Sequence, residues 1–456
     1  MNGTILTLLM LSAVSGATDF KAGVARKVIT PTESIWMAGY ASRTRPSEGV
    51  LHDLWAKALA FEDAHGQRLV IVTTDLIGLS RDVSDEVAAR VKEKYGLDRR
   101  QLMLNSSHTH SGPVIRNNLE VVFDVNVNPA DRPRLRQRFI DYRNQLVDHL
   151  VEVVGAALAD LSPATLAVGH GSAAFAVNRR KPTAQGVSIG VNPDGPVDHD
   201  VPVLKIASPD GKLRAVLFGY ACHNTTLNGY QINGDYAGFA QLELEKNLPG
   251  TTAMFFMLCG GDQNPNPRRK VELAAQHGKT LADAVQRVLA GELTLVHPAI
   301  RTAYENVKLN LTHQERSVFE QEVKSSDPYR KHRAETVLAA LDAGRPIWQI
   351  AIPVQAVALG DHVAMIALGG EVVIDYSLRL KREYPDANLI VAGYTNEVMC
   401  YIPSRRVLRE GGYEASDNMM YYGYPGPFTE NVEETLIDAC HRLLDEVGVK
   451  TENAKH

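Results

Sequence analysis

The stretch that decides the fold runs from RLVIVTT at residues 68–74, closed by Asp75, to QLMLNS at 101–106, which leads into SHTHSGP at 107–113. The first run is apolar and rich in β-branched residues, with a polar stop after it, so it reads as a buried strand. Residues 84–95 repeat apolar side chains at helical spacing, and 101–106 returns to a strand. A strand, a helix and a second near-continuous apolar strand make a sheet covered by helices, the unit of a layered α/β fold.

The same alternation extends outward. Residues 139–158 form a long amphipathic helix, and 164–177 return to strand. Residues 201–206 and 213–221 pair as a hairpin turned by Pro209-Asp210-Gly211. Helices are expected at 237–246 and 273–289, with a short buried strand at 253–258 between them. The polar stretch 313–341 reads as helical and surface-lying. Residues 347–367 read as two strands joined at Leu359-Gly360-Asp361, and 388–392 as one more. Val432, Leu436, Cys440, Leu443 and Val447 share one helical face. There is no sequence repeat, and no Pro/Gly-rich linker marks a boundary. The expectation is one layered α/β domain with mixed sheets over residues 18–456.

Composition narrows the function. The 456 residues are 45% hydrophobic and 22% charged, with a formal net charge of −5. That suits a large core and argues against nucleic acid as a partner, since no Lys/Arg block tracks a phosphate backbone. Arg268-Arg269-Lys270 and Arg405-Arg406 read as solvated surface charge. Residues 5–14 are apolar and are followed by Ser15-Gly16-Ala17, the pattern of a secretory signal over residues 1–17, although no Lys or Arg precedes it. The run is too short to span a bilayer, which takes about 20 residues. Export to the periplasm or the exterior is the expectation. The four cysteines show no Cys-x-x-Cys spacing, which argues against a thiolate zinc cluster, and three of them lie in apolar runs. Buried thiols are favoured over disulfides.

Five segments carry chemistry. His108-Thr109-His110 follows an apolar strand, where residues two apart face the same side and two imidazoles can share a site. His223, in LFGYACHNTTLN, also sits past an apolar strand, either as a packing residue or as a ligand. Glu371, after Gly369-Gly370, is either a helix N-terminal charge or an oxygen ligand. Residues 393–423 are dense in Tyr and Gly and hold Asn396, Tyr401, Tyr413 and Glu414. In LCGGDQNPN, the polar residues Asp262, Gln263 and Asn264 either satisfy local backbone groups or line a site. Two His and one Glu at strand exits match a catalytic zinc site that keeps a position for water. Neither Gly-x-Ser-x-Gly nor a P-loop is present.

In this order the segments resemble the neutral ceramidase family. The resemblance rests on His108-Thr109-His110-Ser111-Gly112-Pro113, His223, Gly370-Glu371, Asn178-Arg179 and the spacing of Asn396, Tyr401 and Tyr413-Glu414. It covers about residues 20–447 and implies a Zn2+ ion held by His108, His223, Glu371 and Tyr401. It further implies that zinc-bound water attacks an amide carbonyl, that zinc with Tyr413 or Arg179 stabilises the oxyanion, and that His110 passes a proton to the leaving amine. Asp235, in Gly234-Asp235-Tyr236-Ala237-Gly238, matches a further segment of the family.

The sequence departs from the family at three points. Asn264 occupies the catalytic position of the family's serine, which closes a serine-nucleophile route. Asn224 replaces the proline after the second histidine. The family also carries a C-terminal β-sandwich domain, for which this chain is expected to be too short. The implied substrate is ceramide or another lipid N-acyl amide, with peripheral contact at a membrane surface. A zinc amidase or esterase acting on an N-acyl sugar or peptide, and a non-catalytic binding protein of the same fold, are the competing readings. An apolar groove leading to Glu371 favours the lipid, and a short polar pocket the non-lipid substrate.

Overall fold

The computed structural model describes residues 20–116, 119–297 and 299–450. The secretory-signal segment at 1–17 lies outside them. Three large sheets repeat one topology. In each, three strands pair antiparallel in chain order, a helix crosses over, and a fourth strand pairs parallel to the third. The first sheet uses Lys21–Val28, Trp55–Glu62 and Arg68–Thr74, the helix Arg81–Tyr95, then Leu102–Ser106. The second uses Thr165–Ser172, Asp200–Ala207 and Leu213–Tyr220, the helix Asp235–Asn247, then Thr252–Met257. The third uses Ile300–Asn310, Gln349–Leu359 and Val363–Leu368, the helix Asp375–Glu383, then Leu389–Ala392. A further helix backs each sheet: Arg132–Ala159, Val271–Ala290 and Val432–Glu446.

Burial on both faces explains the continuous apolar strands. Leu69 and Ile71 face a central core shared with Leu204, Ile206, Val354 and Ile366 of the other sheets. Val70 and Val72 face the opposite way, against Val83, Val87 and Leu150 of the covering helices. That alternation is the period-2 pleat with both faces dry.

The ends of the three parallel strands meet at Asn105. Its Nδ2 donates to the carbonyls of Met257 (3.1 Å) and Gly393 (3.0 Å) and to Thr395 Oγ1 (3.0 Å), and its Oδ1 accepts from Met257 N (2.7 Å). One buried amide thus joins all three sheets at the end where the site lies.

Two sequence expectations are corrected. The single strand at 164–177 is two, Thr165–Ser172 and Ala176–Thr183. Between them the Tyr220 hydroxyl accepts from Ala176 N (3.1 Å) and donates to the Ala173 carbonyl (2.5 Å), taking backbone groups that a continuous ladder would use. The second strand joins Gly186–Asn192 and Gln263–Pro265 in a small sheet that carries Arg179 and Asn264. The helical stretch at 313–341 breaks into Arg316–Glu322 and Pro328–Asp342, the latter capped by Asp327 with Pro328 at its first position. All four cysteines are free and buried. Among the described residues no helix is long and apolar enough to cross a membrane.

Candidate metal centre and cleft

Each repeated unit delivers one donor. His108 follows the parallel strand of the first sheet, His223 the third strand of the second, and Glu371 the third strand of the third. Glu371–Val372 then pairs parallel with Tyr401–Ile402, in a register that sets Glu371 beside Tyr401. Gly370 makes this turn at φ +85°, and a Cβ there would lie 2.6 Å from the Ile402 side chain.

The two imidazoles of His-Thr-His do share a site, but not through strand alternation. The strand ends at Ser106, and His108 adopts φ +63°. Bonds from His108 N to the Leu76 carbonyl (2.8 Å) and from His108 Nδ1 to the Ile77 carbonyl (2.6 Å) hold this left-handed turn. His110 packs edge-on against His108, with ring centroids 4.8 Å apart and Nε2–Nε2 3.1 Å.

The protonation pattern points to a cation. A carbonyl can only accept, so His108 Nδ1 carries a proton toward Ile77, and His223 Nδ1 carries one toward the Gly260 carbonyl (2.7 Å). That leaves both Nε2 lone pairs facing inward. Burial, then the Arg179 guanidinium, pushes the His223 imidazole down to about 3, so it is neutral. Glu371 Oε2 lies 3.1 Å from His108 Nε2 and 3.3 Å from His223 Nε2, yet this buried oxygen has no hydrogen-bond partner. Its sister Oε1 accepts from the Tyr422 hydroxyl (2.8 Å). Tyr401 and Arg179 can donate to His223 Nε2, but nothing donates to Glu371 Oε2, and a buried carboxylate oxygen facing two imidazole nitrogens is unfavourable unless a cation sits among them, so the donor set fits a metal ion. The Tyr401 hydroxyl lies 3.1 Å from His223 Nε2 and completes the group. His108, His110 and His223 form a second, overlapping set, with ligand atoms within 4.8 Å of one another.

Arg179 stands behind this cluster. It donates Nη2 to the Tyr401 hydroxyl (2.9 Å) and Nε to Glu414 (2.7 Å), and Nη1 lies 3.2 Å from His223 Nε2 and 3.5 Å from Asn264 Oδ1. Glu414 also accepts from Arg180 (2.6 Å) and so anchors both arginines. Asn264 is buried and accepts from Thr225 (3.2 Å) beside Arg179, away from the cleft wall. Three polar residues of the motif segments serve the scaffold. Asn396 pairs with Leu104 and Gln355, Asp262 accepts from Ile374 N, and Asp235 accepts from the amides of Thr226, Leu227 and Tyr236.

A cleft of about 200 Å³ opens over the cluster. His108, His110, Glu371, Tyr401 and Tyr413 meet it at the floor. Met37, Ile77, Val114, Leu119, Val121 and Val122 give it an apolar wall. Gly39 closes against His110, where a Cβ would lie 2.5 Å from the ring. Burial pushes the Tyr413 phenol up, so it stays protonated and able to donate. Tyr422, Arg116 and Tyr40 also line the cleft, and sequence reading missed them. Tyr422 does fall in the Tyr/Gly-dense segment, which was its signal.

The molecule is therefore a mixed α/β protein with a buried, metal-competent donor cluster under an apolar cleft. Residues 20–283 match the N-terminal part of the neutral/alkaline non-lysosomal ceramidase family, and the chain belongs to that family. It is 29% identical over 275 residues to the neutral ceramidase of Pseudomonas aeruginosa, covering 57% of this chain and 39% of that protein. It is 26% identical over 275 residues to neutral ceramidase B of Dictyostelium discoideum, covering 56% of this chain and 36% of that one. The aligned stretch thus spans well under half of these relatives' length. The fold matches a crystal structure of neutral ceramidase from Pseudomonas aeruginosa with TM-score 0.71 at 19% identity, over 95% of this chain and 76% of that one. A ceramidase complexed with C2 matches with TM-score 0.71 at 18% identity, over 94% and 75%. The family match includes His108, His110, Arg179, His223 and Asn264, whereas Glu371, Tyr401 and Tyr413 lie beyond it.

Proposed function

We propose that the protein is a zinc-dependent amidohydrolase that cleaves the N-acyl amide bond of ceramide or a related N-acyl amphiphile. One observation carries this reading: an apolar cleft ends on Glu371 Oε2, a buried carboxylate oxygen that faces two imidazole lone pairs and lacks a donor. His108, His223, Glu371 and Tyr401 would hold the ion. Bound there, zinc supplies a water of lowered pKa and polarises the amide carbonyl.

The chain's own residues do the rest. The apolar wall binds the acyl chain and excludes water from it. Tyr413, protonated and at the cleft floor, donates to the carbonyl oxygen as it gains charge. Arg179 is bound to Tyr401, Glu414 and the His223 region, so it acts by orienting Tyr401 rather than by touching substrate. His110 lines the cleft with a buried Nδ1 that has no partner, and burial with the neighbouring imidazoles holds it neutral. It is placed to accept a proton and deliver it to the leaving nitrogen. Export through residues 1–17 and work at a membrane surface belong to the same reading.

The test is fatty acid release from a short-chain ceramide by zinc-loaded protein, with Glu371→Ala as control. Release that falls ~10³-fold or more in the variant supports the reading. No release from folded, zinc-replete protein rejects the lipid amide and turns attention to N-acyl sugars and peptides.

A further inference from the structure

Four arginines are buried around the cleft and its floor: Arg43, Arg116, Arg179 and Arg180. Three of them meet a carboxylate or several carbonyls. Arg179 and Arg180 meet Glu414, and Arg43 donates to the carbonyls of Ala38, His110 and Gly229. Arg116 differs. It is 2% exposed, lines the cleft, and donates Nη1 to the Val398 carbonyl (2.7 Å). Its Nε, like that of Arg43, has no partner, but Arg43 has three carbonyl acceptors, and among the described residues no carboxylate lies within ion-pair distance of Arg116. A buried cation is costly unless an anion or a full set of acceptors meets it.

Its position tells what would meet it. The guanidinium stands over the Tyr422 ring at 5.4 Å from the centroid, and the Tyr422 hydroxyl donates to Glu371 Oε1. Arg116 therefore lies one aromatic ring from the donor cluster, on the cleft wall. Glu371's free oxygen faces the histidines rather than Arg116. In a ceramide, the carbon that bears the amide nitrogen also carries a hydroxymethyl group. In an N-acyl α-amino acid the same carbon carries a carboxylate, which a guanidinium binds strongly and in bidentate geometry.

We infer that Arg116 binds a carboxylate on the carbon bearing the scissile nitrogen, so that the cleft takes N-acyl α-amino acids in preference to N-acyl amino alcohols. This rests on the amidohydrolase reading above. Water adds across the C–N bond: the acyl carbon gains the hydroxyl and leaves as a fatty acid, and the nitrogen gains the proton and leaves as the free amino acid. Arg116 takes no part in bond breaking and sets specificity.

A matched pair tests it. N-Dodecanoyl-serine and N-dodecanoyl-serinol differ only in carboxylate against hydroxymethyl. The zinc-loaded protein should prefer the serine conjugate by about tenfold or more in kcat/KM, mainly through KM. Arg116→Gln should bring that ratio to about one, and Arg116→Lys, which keeps the charge but not the bidentate fork, should keep only part of it. Calorimetric binding of N-dodecanoyl-serine to metal-free protein should weaken in Arg116→Gln, a readout independent of turnover. Cleavage of serinol amide and short-chain ceramide with no preference for the serine conjugate, or a preference unchanged in Arg116→Gln, overturns the assignment and leaves the amidohydrolase reading standing. Cleavage of none of the three overturns both.

Discussion

His108 pairs an unusual backbone with a decisive side chain. A non-glycine residue at φ +63° costs about 1 kcal/mol, and here two bonds to the Leu76 and Ile77 carbonyls offset it while aiming Nε2 at Glu371. His110, two residues on, has no such carbonyl partner for its Nδ1. The two imidazoles should therefore separate on mutation. His108→Ala is expected to lose bound zinc by elemental analysis, whereas His110→Ala keeps about one ion per chain and loses ~10²-fold or more in turnover. Retention of zinc by His108→Ala, or its loss from His110→Ala, would favour the three-histidine set instead. At this scale His108, His223 and Glu371 stood out in the sequence because each follows an apolar run, and His110 through its His-x-His spacing, whereas Tyr401 stood out only within a Tyr/Gly-dense segment and through the family resemblance. Arg116 and Tyr422 were not. Arg116 is a lone polar residue in an irregular stretch and leaves no periodic signal, Tyr422 is one tyrosine among several in its segment, and only folding sets Tyr422 on Glu371 and Arg116 over its ring.

At the scale of elements, the joint at Asn105 does what no strand pairing does alone. Its amide bonds to Met257, Gly393 and Thr395 tie the parallel strand ends of all three sheets. Asn105→Ala would strand buried backbone groups of Met257 and Gly393, a cost of about 3 kcal/mol or more. Scanning calorimetry should show Tm lower by several degrees, and an unchanged Tm would remove Asn105 from this role. The strands at Arg68–Thr74 and Leu389–Ala392 were readable because both faces are dry. Lys21–Val28 was not, since its second half carries exposed polar positions and reads as a surface stretch. The break between Thr165–Ser172 and Ala176–Thr183 was also unreadable, because it depends on the hydroxyl of Tyr220, far along the chain.

Across the whole molecule, three sheets share one topology with no repeat in the sequence. The core asks only for apolar side chains at pleat spacing, so backbone order can recur while residue identity drifts. Only the structure shows that the three units place one donor each at a common end. The shared interior also holds carboxyls that resist ionisation. Burial pushes Glu397 up to about 7, partly offset by Arg81 (2.5 Å). The folded state therefore holds this proton more tightly than the unfolded chain, whose glutamates titrate near 4.3. The resulting stability is fully present below that value and is lost as pH rises through about 7. Between pH 5 and 8 the unfolding free energy of the wild type should fall by about 2–3 kcal/mol more than that of Glu397→Gln, read from denaturant titrations. Parallel slopes in the two proteins would show that Glu397 ionises at its ordinary pH.

Amide cleavage is proposed to depend on a metal ion held by His108, His223, Glu371 and Tyr401. The most direct measurement is fatty acid release from short-chain ceramide by protein stripped with a chelator and then titrated with zinc. Release should vanish on stripping and return at about one equivalent of zinc, with neither effect in Glu371→Ala. Full release from the stripped, metal-free protein would contradict it.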